Sequence, residues 1–366
     1  MELYDFDSNH SAFSMVNYIS NSQRSVNENL KEVIGVGEAK RVLEWKHTKQ
    51  FLVPDIKIME LINGVIGSSG FDIKKNNLFY SSYQFGEDMM AKILVEEKYF
   101  SFKKTTYFNK VVSLIRPGDH IYGHWLVDIL PRLWLLKEKL ETVSDVTIIL
   151  RWNVPSFAVN MIKLLGYKEE NIYFKNKDEK ILSKISYIVS NFRYNQVFHT
   201  HYHKYANHLK KVLEDKIKNE GLIGARSYEK IFLSRKNWRG KGGKKLRSLL
   251  NINEVESYLK INGYQVIYPE NYTLEEQYLL YSNISTVIAE DGSALHNTIF
   301  MGDKVNICCL RSETNMSLIQ GALCNVNKQK ITYLLGSNVD EGMERMSNYT
   351  IDINYLTEFL ENNRNK

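Results

Sequence analysis

Only three cysteines occur among the 366 residues, Cys308, Cys309 and Cys324, an odd set crowded toward one end. They sit poorly with a disulfide framework. The apolar run Val305-Asn306-Ile307-Cys308-Cys309-Leu310 reads as a buried strand, so the expectation is reduced thiols in a cytoplasmic setting. The start Met1-Glu2-Leu3-Tyr4-Asp5 lacks the basic and apolar regions of a secretory leader. No run approaches the roughly 20 apolar residues that cross a bilayer. Internal repeats and long low-complexity tracts are absent as well. Neither a GxGxxG fingerprint nor a lysine-bearing phosphate loop occurs, which removes support for a nicotinamide or ATP assignment.

What is present is an ordinary globular balance, 43% hydrophobic and 25% charged, which excludes a disordered or fibrous chain. The length favours two domains over one growing core. A formal charge of +6 says little as a total, but its distribution is uneven. Arg235, Lys236, Arg239, Lys241, Lys244, Lys245 and Arg247 fall within thirteen residues, interrupted by Gly240, Gly242 and Gly243. Such a stretch suits phosphate, an acidic acceptor or an anionic membrane surface. The glycines spoil a duplex-reading helix, so no nucleic-acid partner is expected.

Residues 1–100 offer only short apolar or aromatic segments, at 58–62, 65–66, 79–83, 90–94 and 99–102. From 111 onward strands alternate with helices. Strands are expected at 111–115, 147–150, 185–189, 231–234, 264–268, 286–289, 305–310 and 331–335. Helices are expected up to 140 and over 157–165, 202–217, 253–262, 273–281, 293–301 and 353–360. This alternation predicts mostly parallel sheets covered by helices. Thr273 followed by Glu276 has capping-box spacing, and Asn262-Gly263 is a helix stop. A linker at 221–225 divides the chain into an N-terminal domain, 1–220, and a C-terminal domain, 221–345. The segment 346–366 is free to pack back on the first domain.

Two stretches carry chemistry. In the first, from Arg116 to Arg132, His120, His124 and Asp128 are four apart and share a face if the segment is helical. Gly118 and Gly123 leave open that only His124 and Asp128 form the helical pair, and Pro131 predicts a bend. A base that takes a hydroxyl proton can be either His124 or Asp128, or Asp128 can hold the tautomer of His124. Trp125 is either a sugar platform or a buried anchor. Arg132 either meets an anion or makes a salt bridge. In the second stretch, a strand ends in Glu290-Asp291-Gly292 and enters a helix through Ser293, Ala294, His296 and Asn297. A glycine turn at a helix start suits a diphosphate on free amides. Ser234, Arg235 and Lys236 follow another strand, where Arg235 can take diphosphate charge without a metal. Glu254 either orients a ribose or sugar hydroxyl or caps its helix. Adjacent Glu290 and Asp291 do not specify a metal. His199, His201, His203 and His208 cluster without the ligands that would close a zinc site.

The run Gly123-His124-Trp125-Leu126-Val127-Asp128-Ile129-Leu130-Pro131-Arg132 resembles the N-terminal motif of glycosyltransferase family 61. In the same order follow Phe232 to Lys236, Arg247, Asn253-Glu254, Gly263 to Val266, Pro269-Glu270, and the run Gly292 to Phe300. The resemblance covers roughly residues 110 to 310. It implies a GT-B arrangement of two Rossmann-like domains facing across a cleft, and an inverting, metal-independent transferase. The donor nucleotide sugar would be held by Ser234, Arg235, Lys236, Arg247, Glu254, Gly292, Ser293, Ala294, His296 and Asn297. His124 and Asp128 would be catalytic, with His120, Trp125 and Arg132 toward a carbohydrate acceptor. Many relatives carry histidine where this chain has Asp291, and threonine where it has His296. A UDP-sugar is favoured, with CMP- and GDP-sugars as alternatives. The nearest branch makes bacterial capsule, lipopolysaccharide or related surface glycan, placing the chain in the cytoplasm and in peripheral contact with the inner membrane or its polysaccharide machinery. Rival classes are a phosphate- or sulfate-group transferase acting on carbohydrate and a non-catalytic nucleotide- or polysaccharide-binding subunit.

Overall fold

The computed structural model describes residues 2–5, 13–19, 22–25, 30–36, 38–47, 50–53, 55–70, 72–74, 77–80, 101–140, 143–194, 196–222, 228–238, 247–340 and 347–364. The segment at 90–94, parts of 79–83 and 99–102, most of the linker at 221–225, and the basic residues Arg239, Lys241, Lys244 and Lys245 lie outside them. The chain forms two compact units, one of Met1–Ser22 with Leu52–Asn195, the other of Gln23–Phe51 with Gln196–Lys366.

In the first unit the described residues build a nine-stranded sheet. Its main strands are β1 (Ile56–Ile66), β2 (Lys104–Ser113), β3 (Thr147–Arg151), β4 (Ile172–Lys175) and β5 (Glu179–Val189), in the order β1-β5-β2-β3-β4. β1 and β5 are antiparallel, and β5, β2, β3 and β4 run parallel. Residues read from sequence as two short pieces are thus one eleven-residue strand. The chain leaves β2 toward β3 and β4 on one side and returns as β5 on the other. β2 is therefore a switch strand, whose carboxyl end opens a ligand crevice in such sheets. Val111, Val112, Ile149 and Ile181 are buried at its centre.

The helix after β2 is one rod with a fault. A first turn at Tyr122–His124 passes into a π turn, Trp125–Ile129, and then into α1 (Leu130–Lys139). Leu130 N–H donates to Trp125 O, five residues back. Pro131 has no N–H for the next α-type bond, and the widened turn carries the helix past it. The disturbance expected at Pro131 therefore falls one turn earlier, on Asp128. α2 (Ser156–Leu164) follows β3.

The second unit is more regular. Strands β6 (Lys230–Leu233), β7 (Gln265–Ile267), β8 (Thr286–Glu290), β9 (Asn306–Ser312) and β10 (Lys330–Asn338) lie parallel in the order β7-β6-β8-β9-β10. β10 also pairs with the parallel strand Leu30–Ile34 and the antiparallel β11 (Tyr349–Thr350). Here the switch lies between β6 and β8. The helices are α3 (Tyr202–Asn219), α4 (Ile252–Ile261), α5 (Leu274–Tyr281), a 3₁₀ turn at Ser293–Phe300, α6 (Ile319–Val326) and α7 (Ile353–Arg364). The capping box closes as its spacing implies: Glu276 N–H donates to Thr273 Oγ1 at 3.2 Å and Thr273 N–H to Glu276 Oε2 at 2.7 Å.

Two elements lie in this unit where the sequence suggested the first. α3 buries Tyr202, Tyr205, Ala206, Leu209, Leu213 and Ile217. Its Lys210 Nζ donates to Met301 O at 3.0 Å, and its Lys216 meets Glu275 at 2.6 Å. An apolar stripe so placed joins the sheet whose helices it contacts. α7 supplies Leu356, Phe359 and Leu360 to the same core cluster as Ile34, Phe232 and Leu334. Among the described residues no helix is long and apolar enough to cross a membrane.

Candidate active site

Among the buried charges of unit one, two arginines and a histidine converge on one carboxylate. Asp128 is fully buried in the π turn, where its Oδ2 lies 2.7 Å from His124 Nδ1. Arg193, four residues beyond β5, donates from Nε to Asp128 Oδ1 at 3.0 Å and from Nη2 to Oδ2 at 3.1 Å. Arg116 Nη2 stands 3.6 Å away on the other side. Burial pushes the Asp128 carboxyl up, but Arg193, Arg116 and the His124 bond together hold it well below the usual carboxylate range. Asp128 is thus a fixed anion. As an acceptor it sets the proton of His124 on Nδ1, which leaves Nε2 as the basic nitrogen. The His124 side chain is one-third exposed. Gly118, at φ +85°, packs against its ring so closely that a Cβ there would stand 2.7 Å from Cδ2 and 3.0 Å from Nε2.

The other residues of this stretch divide. His120 is exposed in the turn just before the helix. Trp125 is wholly buried, with its indole N–H donating to Asp119 O at 2.8 Å, so it anchors the helix and offers no face to a sugar. Arg132 is also buried and donates to Val189 O at 2.9 Å, tying the helix to the end of β5. Both placements have one cause: these long amphipathic side chains point at the sheet, where they bury their bodies and their N–H groups reach backbone carbonyls.

In unit two the carboxyl ends of β6 and β8 meet at the switch point. Arg235 N–H donates to Glu290 Oε1 at 3.0 Å, and its Nη1 donates to Asp291 O at 2.9 Å. The guanidinium lies over Trp238 at 4.9 Å. Gly292, at φ +156°, brings the backbone beneath it, where a Cβ would stand 3.4 Å from Arg235 Cζ. Ser293 and Ala294 then open the 3₁₀ turn, whose first backbone bond runs from Leu295 N–H to Gly292 O. Arg247, held at φ +56°, lines the same small pocket as Arg235, Trp238 and Glu290. Burial lowers its pKa and Asp291 raises it, for a net decrease, yet an arginine keeps its charge at neutral pH.

Asp291 has a role that the sequence did not reveal. Its Oδ2 accepts from Asn315 Nδ2 at 2.6 Å and stands 3.2 Å from Nη2 of the buried Arg311, which stacks over Tyr333 at 4.5 Å. Burial opposes its ionisation, while Arg311 and Arg247 outweigh that and lower its pKa. His296 Nδ1 lies 3.0 Å from Gln320 Oε1. Asn297 is buried behind the turn and donates to Gln277 Oε1 at 2.7 Å. Ser234 is buried too, with its hydroxyl on Glu256 Oε1 at 2.8 Å, and Lys236 Nζ reaches Glu256 Oε2 at 3.3 Å. Glu254 is exposed on the first turn of α4 and accepts from Asn251 at 2.8 Å.

The geometry brings together His124 with Asp128, and Arg235 with Arg247 and the Gly292 turn. Arg193, Arg116, Glu256, Arg311 and Asn315 are the partners that the sequence left unassigned. His199 is buried and accepts His201 N–H at 3.0 Å, while His203 is exposed. Among the described residues no group of three or more histidines, cysteines or acids is placed to hold a metal ion.

No curated protein matches the chain. The family model described as Glycosyltransferase 61 matches residues 122–308, slightly more than half of the sequence. That match runs from the start of the His124 helix through the Gly292 turn into β9. The chain therefore belongs to glycosyltransferase family 61, enzymes that join a sugar from a nucleotide-sugar donor to a carbohydrate-type acceptor.

Proposed function

We propose that the protein is an inverting transferase in which His124 is the base. The observation that carries this reading is the presentation of one partly exposed imidazole by a buried, doubly arginine-clamped carboxylate at a switch strand. Nε2 accepts the proton of the acceptor hydroxyl as its oxygen attacks the anomeric carbon. The bond from that carbon to the donor diphosphate breaks in the same step, which inverts the centre. Asp128 keeps its charge throughout and stabilises the imidazolium that forms, while Arg193 and Arg116 keep Asp128 ionised.

The second unit holds the leaving nucleotide. Arg235 and Arg247 neutralise the diphosphate, and the amides of Ser293 and Ala294 receive its oxygens. Two guanidinium groups there support departure without a metal ion. Glycine suits position 292 because its φ of +156° is one that residues with a side chain rarely adopt. Ser234, Lys236 and Asn297 shape this site from behind, and His296 with Asp291 sets its inner wall. The acceptor belongs to the first unit and the donor to the second, the division of labour of a GT-B enzyme. A UDP-sugar is the favoured donor. The product is a bacterial surface glycan, assembled on the cytoplasmic side by an enzyme peripheral to the inner membrane.

The test is calorimetry with UDP-, GDP- and CMP-sugars, with and without chelator, followed by a turnover assay on the class that binds. Chelator-resistant binding of one class, with turnover lost in His124→Ala while binding persists, supports the reading. Turnover that survives loss of His124 removes it as base. Binding without any turnover supports a non-catalytic subunit.

A further inference from the structure

With Trp125 buried, an acceptor sugar needs another surface on the first unit. β2 and β3 are adjacent and parallel, so the His124 helix and α2 both begin beyond carboxyl ends of neighbouring strands. Their starts touch: the rings of Tyr122 and Phe157 meet edge to face at 5.5 Å. Trp152 follows the last residue of β3, and its amide donates to Lys175 O at 3.1 Å, fixing it to the end of β4. Its side chain is nevertheless 59% exposed. The preceding residue, Arg151, donates from Nε to Asp119 Oδ2 at 3.0 Å. Asp119 is next to Gly118, the residue lying on the His124 ring.

We propose that Trp152 is the platform on which a sugar ring of the carbohydrate acceptor stacks. This rests on the assignment of the first unit as the acceptor side. A pyranose presents a face of C–H groups to an aromatic ring and hydroxyls around its edge. The sequence neighbours of Trp152 are polar, the half-exposed Arg151 and the exposed Asn153, and His120 is exposed in the turn that Arg151 reaches through Asp119. Ile121, in the same turn before the His124 helix, is also exposed, at 38%. An aromatic surface with a few oriented polar groups is how a concave site selects a flat, hydroxylated ligand. The bond between Arg151 and Asp119 ties the residue before Trp152 to the turn whose Gly118 packs on the His124 ring.

The experiment measures saturation transfer by NMR from the protein to the methyl β-glycosides of lactose, cellobiose, chitobiose and xylobiose, with UDP, GDP and CMP as separate probes. Trp152→Ala should weaken the best disaccharide about tenfold, and Trp152→Phe should recover most of that loss. Nucleotide binding and melting temperature should stay unchanged in both. Disaccharide affinity within twofold of wild type in Trp152→Ala overturns the proposal. So does wild-type protein that binds nucleotide but no disaccharide, which leaves the transferase reading standing. Trp152-dependent binding to anionic phospholipid vesicles, with no saccharide response, overturns it in favour of a membrane contact. Trp152-dependent saccharide binding by a chain that turns over no donor sustains the platform and removes the enzyme reading.

Discussion

The two switch points spend buried charge in opposite ways. In the first unit two arginines and a carboxylate converge to aim one side chain, His124. In the second, Arg311 and Asn315 fix Asp291 at a turn beside which Arg235 and Arg247 line one small pocket. In the proposed mechanism one site presents a proton acceptor and the other a cradle for negative charge. The contrast explains why the first tolerates a π turn, which rotates Asp128 inward beneath His124, while the second relies on a glycine and a short 3₁₀ turn.

Removing the base tests that division most severely. His124→Ala is expected to lower turnover by about 10²–10⁴-fold with donor affinity unchanged by calorimetry. Parallel loss of donor affinity would show that the two sites do not divide the work in this way. Next comes Asp128→Asn, which takes the anion from the buried Arg116 and the mostly buried Arg193. Chemical denaturation should show a loss of about 3–5 kcal/mol. The pH dependence follows from the same group. Its folded pKa lies below its unfolded one, so the stabilisation is present above about pH 4 and is lost as pH falls through the depressed native value. The variant should lack that acid-limb component in melting curves taken from pH 6 to pH 2.

In the second unit, Arg235→Ala should weaken nucleotide binding by about 1.5–3 kcal/mol, the range for a hydrogen bond to a charged group, while acceptor binding holds. The smallest effect is expected from Gly118→Ala. The left-handed backbone and the contact with His124 displace the ring without altering any charge, at a strain of about 1–3 kcal/mol. Turnover should fall with donor affinity intact. A Gly118→Ala enzyme of full activity would mean that the observed ring position is not the working one.

Most strands from 111 onward were legible because parallel strands are short apolar runs between punctuated helices, whereas β4, Ile172–Lys175 at the sheet edge, and the two-residue β11 are too short and too polar to stand out. The sequence paired His124 with Asp128 because four residues make one helical turn. It did not reveal Arg193, which lies 65 residues from Asp128, since no local period links them. Trp125 was ambiguous because a tryptophan packs equally well against a core or a sugar, and only the direction of the helix decides. Glu254 and Glu256 show the limit at the finest scale. Two residues on a helix point about 200° apart, so Glu254 meets water while Glu256 is buried under Ser234 and accepts Tyr268 OH at 3.0 Å. The motif by its spacing singled out Glu254, and only the register of α4 shows that Glu256 is the acid beneath Ser234.

The strand Leu30–Ile34 at the edge of β10 has a consequence for modularity. Because residues 23–51 complete a sheet otherwise built from 196–366, the polypeptide passes from one unit to the other three times. A single genetic breakpoint anywhere between them strands one half without part of its sheet. The donor-side unit is therefore not a cassette that recombination can lift out and fuse to another acceptor half, and diversification must proceed through substitutions within a chain inherited whole.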